Sequence, residues 1–210
     1  MADDLIFYTN PMSRGRIVRW MLEELGVSYC TEVLEYGTTM KADAYLSVNP
    51  MGKVPAIRHG NIVVTEAAAI CAYPADAFPD AGLAPPTDSR GPYYRWLFFT
   101  AGPLESANLN KMLGFEVPTE LERSAGYGTF GAVVDALEGA LSAGAYVAGE
   151  SFSAADVYVG SHIGWGMHML KTIEPRPAFE DYWARVSARP AHLRAEAKDD
   201  ALVAAAPPDA

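Results

Sequence analysis

The period of the apolar positions changes repeatedly along the first part of the chain, and each change predicts an element. Leu5 to Tyr8 is an apolar run of strand length, closed by Thr9-Asn10-Pro11, where the proline bars continuation. From Ser13 the spacing becomes helical: Ile17, Val18, Met21, Leu22 and Leu25 share a face, Glu23 and Glu24 lie opposite, and Gly26 suits the C-terminal cap. Cys30 to Leu34 alternates again and predicts a second strand, and Lys41 to Val48 a short irregular helix ahead of Asn49-Pro50. Val54 to Arg58 and Ile62 to Thr65, separated by His59-Gly60-Asn61, predict a hairpin. A helix from Glu66 to Phe78 completes the order β-α-β-α-β-β-α, which is thioredoxin-like. Pro74 falls inside that helix, where a proline costs on the order of 3 kcal/mol and predicts a kink.

Asp80 to Asp88 is small, Pro-rich and aperiodic, as expected of a linker. Beyond it the strand patterns cease. Tyr93 to Leu113 predicts a helix kinked at Gly102-Pro103, residues 120–143 a second, Ser153 to Leu170 a third and Pro177 to Ala188 a fourth. The expected organisation is an α/β thioredoxin-like domain over 1–79, a linker over 80–88, an all-α helical bundle over 89–197 and a disordered tail over 198–210. Ser153-Ala-Ala-Asp156, ahead of Val157, Tyr158 and Val159, has the spacing of a capping box.

Charge and cysteine usage narrow the function classes. Sixteen Lys and Arg stand against 26 Asp and Glu, for a formal charge of −10, and no basic block is interleaved with aromatics. Nucleic acid and anionic membranes are therefore poor partners. Met-Ala-Asp-Asp-Leu lacks the basic and apolar regions of a secretory signal and no apolar stretch has transmembrane length, so a cytoplasmic location is expected. Cys30 and Cys71 lie far apart without a C-x-x-C pair, and both are expected to be buried thiols. His59, His162, His168 and His192 show no metal-ligand spacing and no glycine-rich phosphate loop is present, so neither a metal nor a nucleotide cofactor is expected.

The segment richest in functional information runs from Asn49 to Ile70. Asn49-Pro50-Met51-Gly52-Lys53-Val54-Pro55 is followed by a short hairpin and then Thr65-Glu66-Ala67-Ala68-Ala69-Ile70. This combination resembles the glutathione-binding half of the cytosolic glutathione S-transferases, of a bacterial serine-type or theta-like kind. The capping box extends the resemblance into the second half of the chain. The family implies a homodimer with glutathione as co-substrate. It also implies that Val54, ahead of a cis Pro55, pairs with the cysteinyl part of glutathione. Glu66 would then hold the γ-glutamyl ammonium and Lys53 the glycyl carboxylate, with Lys41 or Met40 as further contributors. Relatives carry a serine after the acid; here Ala67 leaves only a backbone amide for the γ-glutamyl carboxylate, so weaker glutathione binding is expected.

Only the thiolate of glutathione is a competent nucleophile, as for free thiols of pKa roughly 8.5, so a transferase must lower that pKa. Amide dipoles at a helix start and a hydroxyl aimed at the sulfur both do so. Ser13 stands at the start of the first predicted helix and is the expected thiolate-stabilising residue, with Asn10 as its rival; a plain helix cap is the structural alternative for Ser13. Tyr8 lies two residues from the position that tyrosine-using relatives employ. Met12, Tyr94, Trp165 and Met169 are candidates for an apolar electrophile pocket, and Glu105 for an acid that some relatives extend to the neighbouring subunit's glutathione. The leading expectation is conjugation of glutathione to apolar electrophiles. The alternatives are a glutathione-dependent isomerase or peroxidase on the same scaffold, and a non-catalytic protein that binds glutathione or hydrophobic ligands.

Overall fold

The structure is a computed structural model that describes residues 5–205. It divides into two compact units: one runs to Ala81 and takes in the chain again from Arg189, and the other is Gly82–Ala188. The N-terminal residues 1–4, on which the reading of a missing signal partly rests, lie outside the described residues, as do the last five positions of the expected tail.

The first unit is built on a four-stranded sheet of order β2-β1-β3-β4, from β1 (Leu5–Thr9), β2 (Cys30–Val33), β3 (Ala56–His59) and β4 (Ile62–Thr65). β1 runs parallel to β2 and antiparallel to β3, which pairs antiparallel with β4. Alternation along β1 separates the two faces. Phe7, opposite Ile57, is fully buried, as are Val18 and Met21 of α1 (Gly15–Leu25) and Ile70 of α3 (Ala67–Ala77). Tyr8 belongs to a second cluster with Leu34, Met40, Tyr45 and Ala56, covered by the short α2 (Asp43–Leu46). Gly26 closes α1 in the left-handed region at φ 67°, as its position predicts. α3 runs uninterrupted through Pro74, so the expected kink does not break it; Phe78 N–H closes onto the Pro74 carbonyl at 2.9 Å.

The C-terminal end departs from expectation. Pro190–Ala205 forms one long helix, α9, which packs on α1 within the first unit, so neither the boundary at 197 nor a tail beginning at 198 holds. Charge complementarity fastens it. Arg189 forks onto Glu24 at 2.6 and 2.7 Å, Arg194 and Lys198 reach Glu23, and the buried pair Arg19–Asp199 closes at 2.7 Å. The Trp20 ring meets His192 edge-on at 4.5 Å.

The second unit is helical: α4 (Gly91–Phe99), α5 (Glu105–Met112), α6 (Phe130–Ser142), α7 (Ala154–Gly164) and α8 (Pro177–Ser187). α4 and α5 are joined by a π-helical turn over Thr100–Leu104, because Pro103 cannot donate to the regular ladder; the expected kink takes this form. α6 starts at Phe130 rather than near 120, and the glycine-bearing stretch before it, with Gly128 at φ 65°, is turn. α7 is buried along almost its whole length, and the capping box is formed. Asp156 accepts from the amide and hydroxyl of Ser153 at 2.9 and 3.0 Å, from Val147 N–H at 2.8 Å and from the Tyr182 hydroxyl at 2.9 Å. Cys71 is buried and burial pushes its thiol well up, whereas Cys30, on the edge strand β2, is exposed, contrary to expectation. No helix among the described residues is long and apolar enough to cross a membrane.

Candidate functional site

Strand register gathers the predicted site residues at one end of the sheet. Tyr8 stands opposite Ala56, and Ala56 opposite Thr65, so the next positions outward are the turn after β1, the Val54-Pro55 segment before β3, and Glu66 after β4. Adjacent strands lie about 4.8 Å apart, so these three segments share a short row. The C-terminal end of the parallel β2 joins the row on its other side, beyond β1.

The turn after β1 is tightly determined. Asn10 is buried; its Oδ1 accepts the Met12 amide at 2.9 Å and its Nδ2 donates to the Leu34 carbonyl at 2.9 Å. The Asn10 side chain therefore folds the turn and ties it to the end of β2. Ser13 is half-buried and lies two residues before α1 rather than opening it. Its hydroxyl donates to the Asn10 carbonyl at 2.6 Å, and its Oγ accepts the Gly15 amide at 2.9 Å. Arg16 Nε donates to the Pro11 carbonyl at 2.7 Å. A Cβ at Gly15 would come within 2.0 Å of Thr9 Oγ1, so the close approach of α1 to β1 here needs glycine.

The Asn-Pro-x-Gly-Lys-Val-Pro segment is organised by side chains that grip its backbone. The Lys53 carbonyl accepts from the Tyr45 hydroxyl at 2.6 Å and from Asn49 Nδ2 at 2.8 Å. Burial pushes the Tyr45 phenol up to about 12, which keeps it a donor. Lys41 Nζ donates to the carbonyls of Met51 and Gly52 at 3.1 and 2.8 Å, and Gly52 sits at φ 55° with Lys41 Nζ and the Met40 carbonyl where a side chain would go. These bonds assign Lys41 to shaping the loop, and Met40 is buried in the second cluster. Lys53 points its side chain outward, and the Val54–Pro55 bond is cis.

Glu66 is exposed at the head of α3 and takes φ 68°, ψ 116°, an unusual conformation for a residue with a side chain. Backbone strain of this kind concentrates at functional sites. Ala67 is buried and opens α3, so the first amides of the helix follow directly on Glu66 in the chain. Sequence reasoning located Glu66 but had no signal for its backbone, since glutamate carries no preference for positive φ.

In the helical unit, Tyr94 is partly exposed on α4, and Trp165 donates its indole N–H to Met169 Sδ at 2.9 Å. Glu105 accepts from the Tyr158 hydroxyl at 3.3 Å and faces His162 Nε2 at 3.3 Å, within its own unit. Among the described residues no group of three or more His, Cys, Asp or Glu gathers as a metal site.

Comparison with known proteins finds relatives for both parts of the chain. Residues 12–77 match the profile of the glutathione S-transferase N-terminal domain, and residues 122–190 that of the C-terminal domain. Glutathione S-transferase F13 of Arabidopsis thaliana is 27% identical over 170 residues, 73% of this chain and 76% of that protein. The crystal structure of a glutathione transferase from Methylococcus capsulatus superposes with a TM-score of 0.73 at 30% identity, covering 94% of this chain and 99% of that one. A glutathione transferase homolog from Sulfitobacter, solved with bound glutathione, gives a TM-score of 0.74 at 26% identity over 94% of this chain and 99% of its own.

Proposed function

The chain belongs to the glutathione S-transferase family, and from that premise we propose that it conjugates the glutathione thiolate to apolar electrophiles. The observation that carries this reading is the row at the sheet end, where Ser13, Val54 and Glu66 follow one another across β1, β3 and β4. An extended tripeptide laid across that row meets a carboxylate at Glu66, backbone groups at Val54 beside Pro55, and a hydroxyl and helix start at Ser13. Glu66 takes the γ-glutamyl ammonium, the Ala67 amide the γ-glutamyl carboxylate, and Lys53 the glycyl carboxylate. That a Sulfitobacter homolog was solved with bound glutathione supports glutathione as the ligand.

Ser13 is the proposed thiolate-stabilising residue. Its hydroxyl proton is donated to the Asn10 carbonyl, so acting on sulfur means exchanging that acceptor for the thiolate while Gly15 N–H continues to hold Oγ. Asn10 is the weaker candidate, because both its side-chain oxygen and its amide nitrogen already serve the turn. The chemistry then follows from orientation and a lowered thiol pKa. A homodimer in the cytoplasm belongs to the same proposal.

The test is steady-state kinetics with a halonitroarene. Ser13→Ala is expected to lower kcat by about a hundredfold, the scale for losing one donor to a developing anion, with KM for glutathione nearly unchanged. Equal losses in kcat and glutathione affinity would remove Ser13 from the thiolate role. A second reading, a non-catalytic glutathione-binding protein, is favoured by one observation: the Ser13 hydroxyl already has a local donor and a local acceptor, as a turn residue does. That reading expects glutathione to bind as a thiol and no conjugation in parent or variant.

A further inference from the structure

We propose that Tyr36 determines which electrophiles the site accepts, by presenting its ring as a flat wall beyond the glutathione sulfur and so favouring planar aromatic groups over flexible alkyl chains. This deepens the reading of the site given above and rests on it.

The argument starts from strand order. Reading across the sheet end from β4 through β3 to β1, the row runs Glu66, Val54, Ser13, and the next strand is β2. A tripeptide whose γ-glutamyl end is at Glu66 and whose cysteinyl backbone is at Val54 directs its sulfur toward Ser13. A group joined to that sulfur continues in the same direction, toward the segment that follows β2. Tyr36 stands there, three positions past Val33.

Two tethers hold the Tyr36 loop in place. At one end the Tyr36 hydroxyl donates to the Met12 carbonyl at 3.2 Å, bridging to the residue next to Ser13. At the other end Lys41 Nζ holds the carbonyls of Met51 and Gly52, on the approach to Val54. Between them the Glu35 amide donates to Thr39 Oγ1 at 2.7 Å, the Glu35 carbonyl accepts the Met40 amide at 3.1 Å, and Gly37 turns at φ 74°. Tyr36 so held is 57% exposed, and the neighbouring Met12 is 68% exposed. In a chain of net charge −10, an aromatic and a thioether left open on both sides of one hydrogen bond form an apolar surface beside the reacting atom.

A flat ring rewards a flat partner. Offset or edge-on ring pairs gain beyond the area they bury, whereas an alkyl chain gains only by area and must be ordered to do so. For an aryl halide, the sulfur lone pair forms the C–S bond to the ring carbon, the halide leaves with the electrons of the breaking C–halogen bond, and the thiol proton has gone to solvent. The resulting S-aryl conjugate keeps its ring where Tyr36 can stack on it.

The experiment is calorimetric binding of glutathione, S-(2,4-dinitrophenyl)glutathione and S-hexylglutathione to the parent, Tyr36→Leu and Tyr36→Phe proteins. Tyr36→Leu is expected to weaken the S-aryl conjugate by about three- to tenfold and to leave glutathione and the S-hexyl conjugate within twofold. Tyr36→Phe, which keeps the ring, stays within about twofold of the parent on all three. Equal weakening of aryl and alkyl conjugates, no change in either, or a Tyr36→Phe loss matching that of Tyr36→Leu overturns the proposal while glutathione binding survives. Failure of the parent to bind glutathione overturns the underlying reading and this inference with it.

Discussion

The Ser13 hydroxyl donates to the carbonyl of Asn10 at 2.6 Å, so the residue assigned to the thiolate is also a structural member of the turn that positions it. The turn exists because α1 can approach β1 closely at Gly15, where a Cβ would meet Thr9 Oγ1 at 2.0 Å and Ser13 Oγ at 3.0 Å. Gly15→Ala is therefore expected to destabilise the protein by about 1–3 kcal/mol through overpacking and to lower turnover by displacing Ser13. Adding Thr9→Ala removes the closest clash, and the double variant is expected to regain part of both losses. Thermal unfolding and kinetics of the three proteins test this, and a double variant no better than Gly15→Ala refutes the steric account.

Glu66 holds φ 68° while presenting its carboxylate at the head of α3. Strained backbone of this kind costs about 1–3 kcal/mol. Glu66→Gly is expected to stabilise the fold by about 1 kcal/mol while weakening glutathione by about tenfold or more, because the ammonium loses its partner. At the next position Ala67→Ser is expected to tighten glutathione about three- to tenfold by adding one hydrogen bond to the γ-glutamyl carboxylate. Calorimetric titration of the two variants reads both effects; movement of both in the same direction would falsify the assignment of the γ-glutamyl end.

The fold was legible wherever periodicity and turn chemistry agreed. β1, β4, the Gly26 cap and the Ser153 capping box all sit where their residues predict. α9 was illegible because its buried side are Ala191, His192, Ala195 and Asp199, which form no apolar stripe; it is placed by ion pairs with α1, and partners far apart in sequence leave no local pattern. The start of α6 was misplaced because the residues before it include the apolar Leu121 and Tyr127 yet carry the turn-favouring Gly126 and Gly128. At the candidate site, Lys53, Val54 and Glu66 are singled out by the family resemblance of the segment that carries them, whereas Tyr36 carries no motif and gains meaning only from the strand order beside it.

Asp156 has four donors on its carboxylate, and burial raises its carboxyl above the ordinary range despite them. Removing the acid leaves those donors buried without an acceptor. Asp156→Ala is expected to cost about 3–5 kcal/mol, against about 0.5–2 kcal/mol for Ser153→Ala, which removes one cap. Urea midpoints rank the two; a smaller loss for Asp156→Ala contradicts the central position given to the carboxylate.

The α1–α9 contact makes part of the stability depend on acid. Burial raises the Glu23 carboxyl, but hydrogen bonds from Lys198, Tyr29 and Arg194 outweigh that and hold it below its ordinary 4.5. The folded state then binds this proton less readily than the unfolded chain. Its stabilisation is complete above pH 4.5 and is lost as pH falls through the lowered folded value. Denaturant unfolding from about pH 6 to about pH 3 is expected to show a shallower acid decline for Glu23→Gln than for the parent. An unchanged slope places the acid sensitivity elsewhere.

The most direct test of the central claim is an ultraviolet pH titration of glutathione bound to the parent protein and to Ser13→Ala, following thiolate absorbance. The account predicts that bound glutathione ionises at least about one pH unit below its free value in the parent and returns toward that value in the variant. Bound glutathione that remains a thiol at neutral pH in the parent, or a thiolate that persists unchanged in Ser13→Ala, contradicts it.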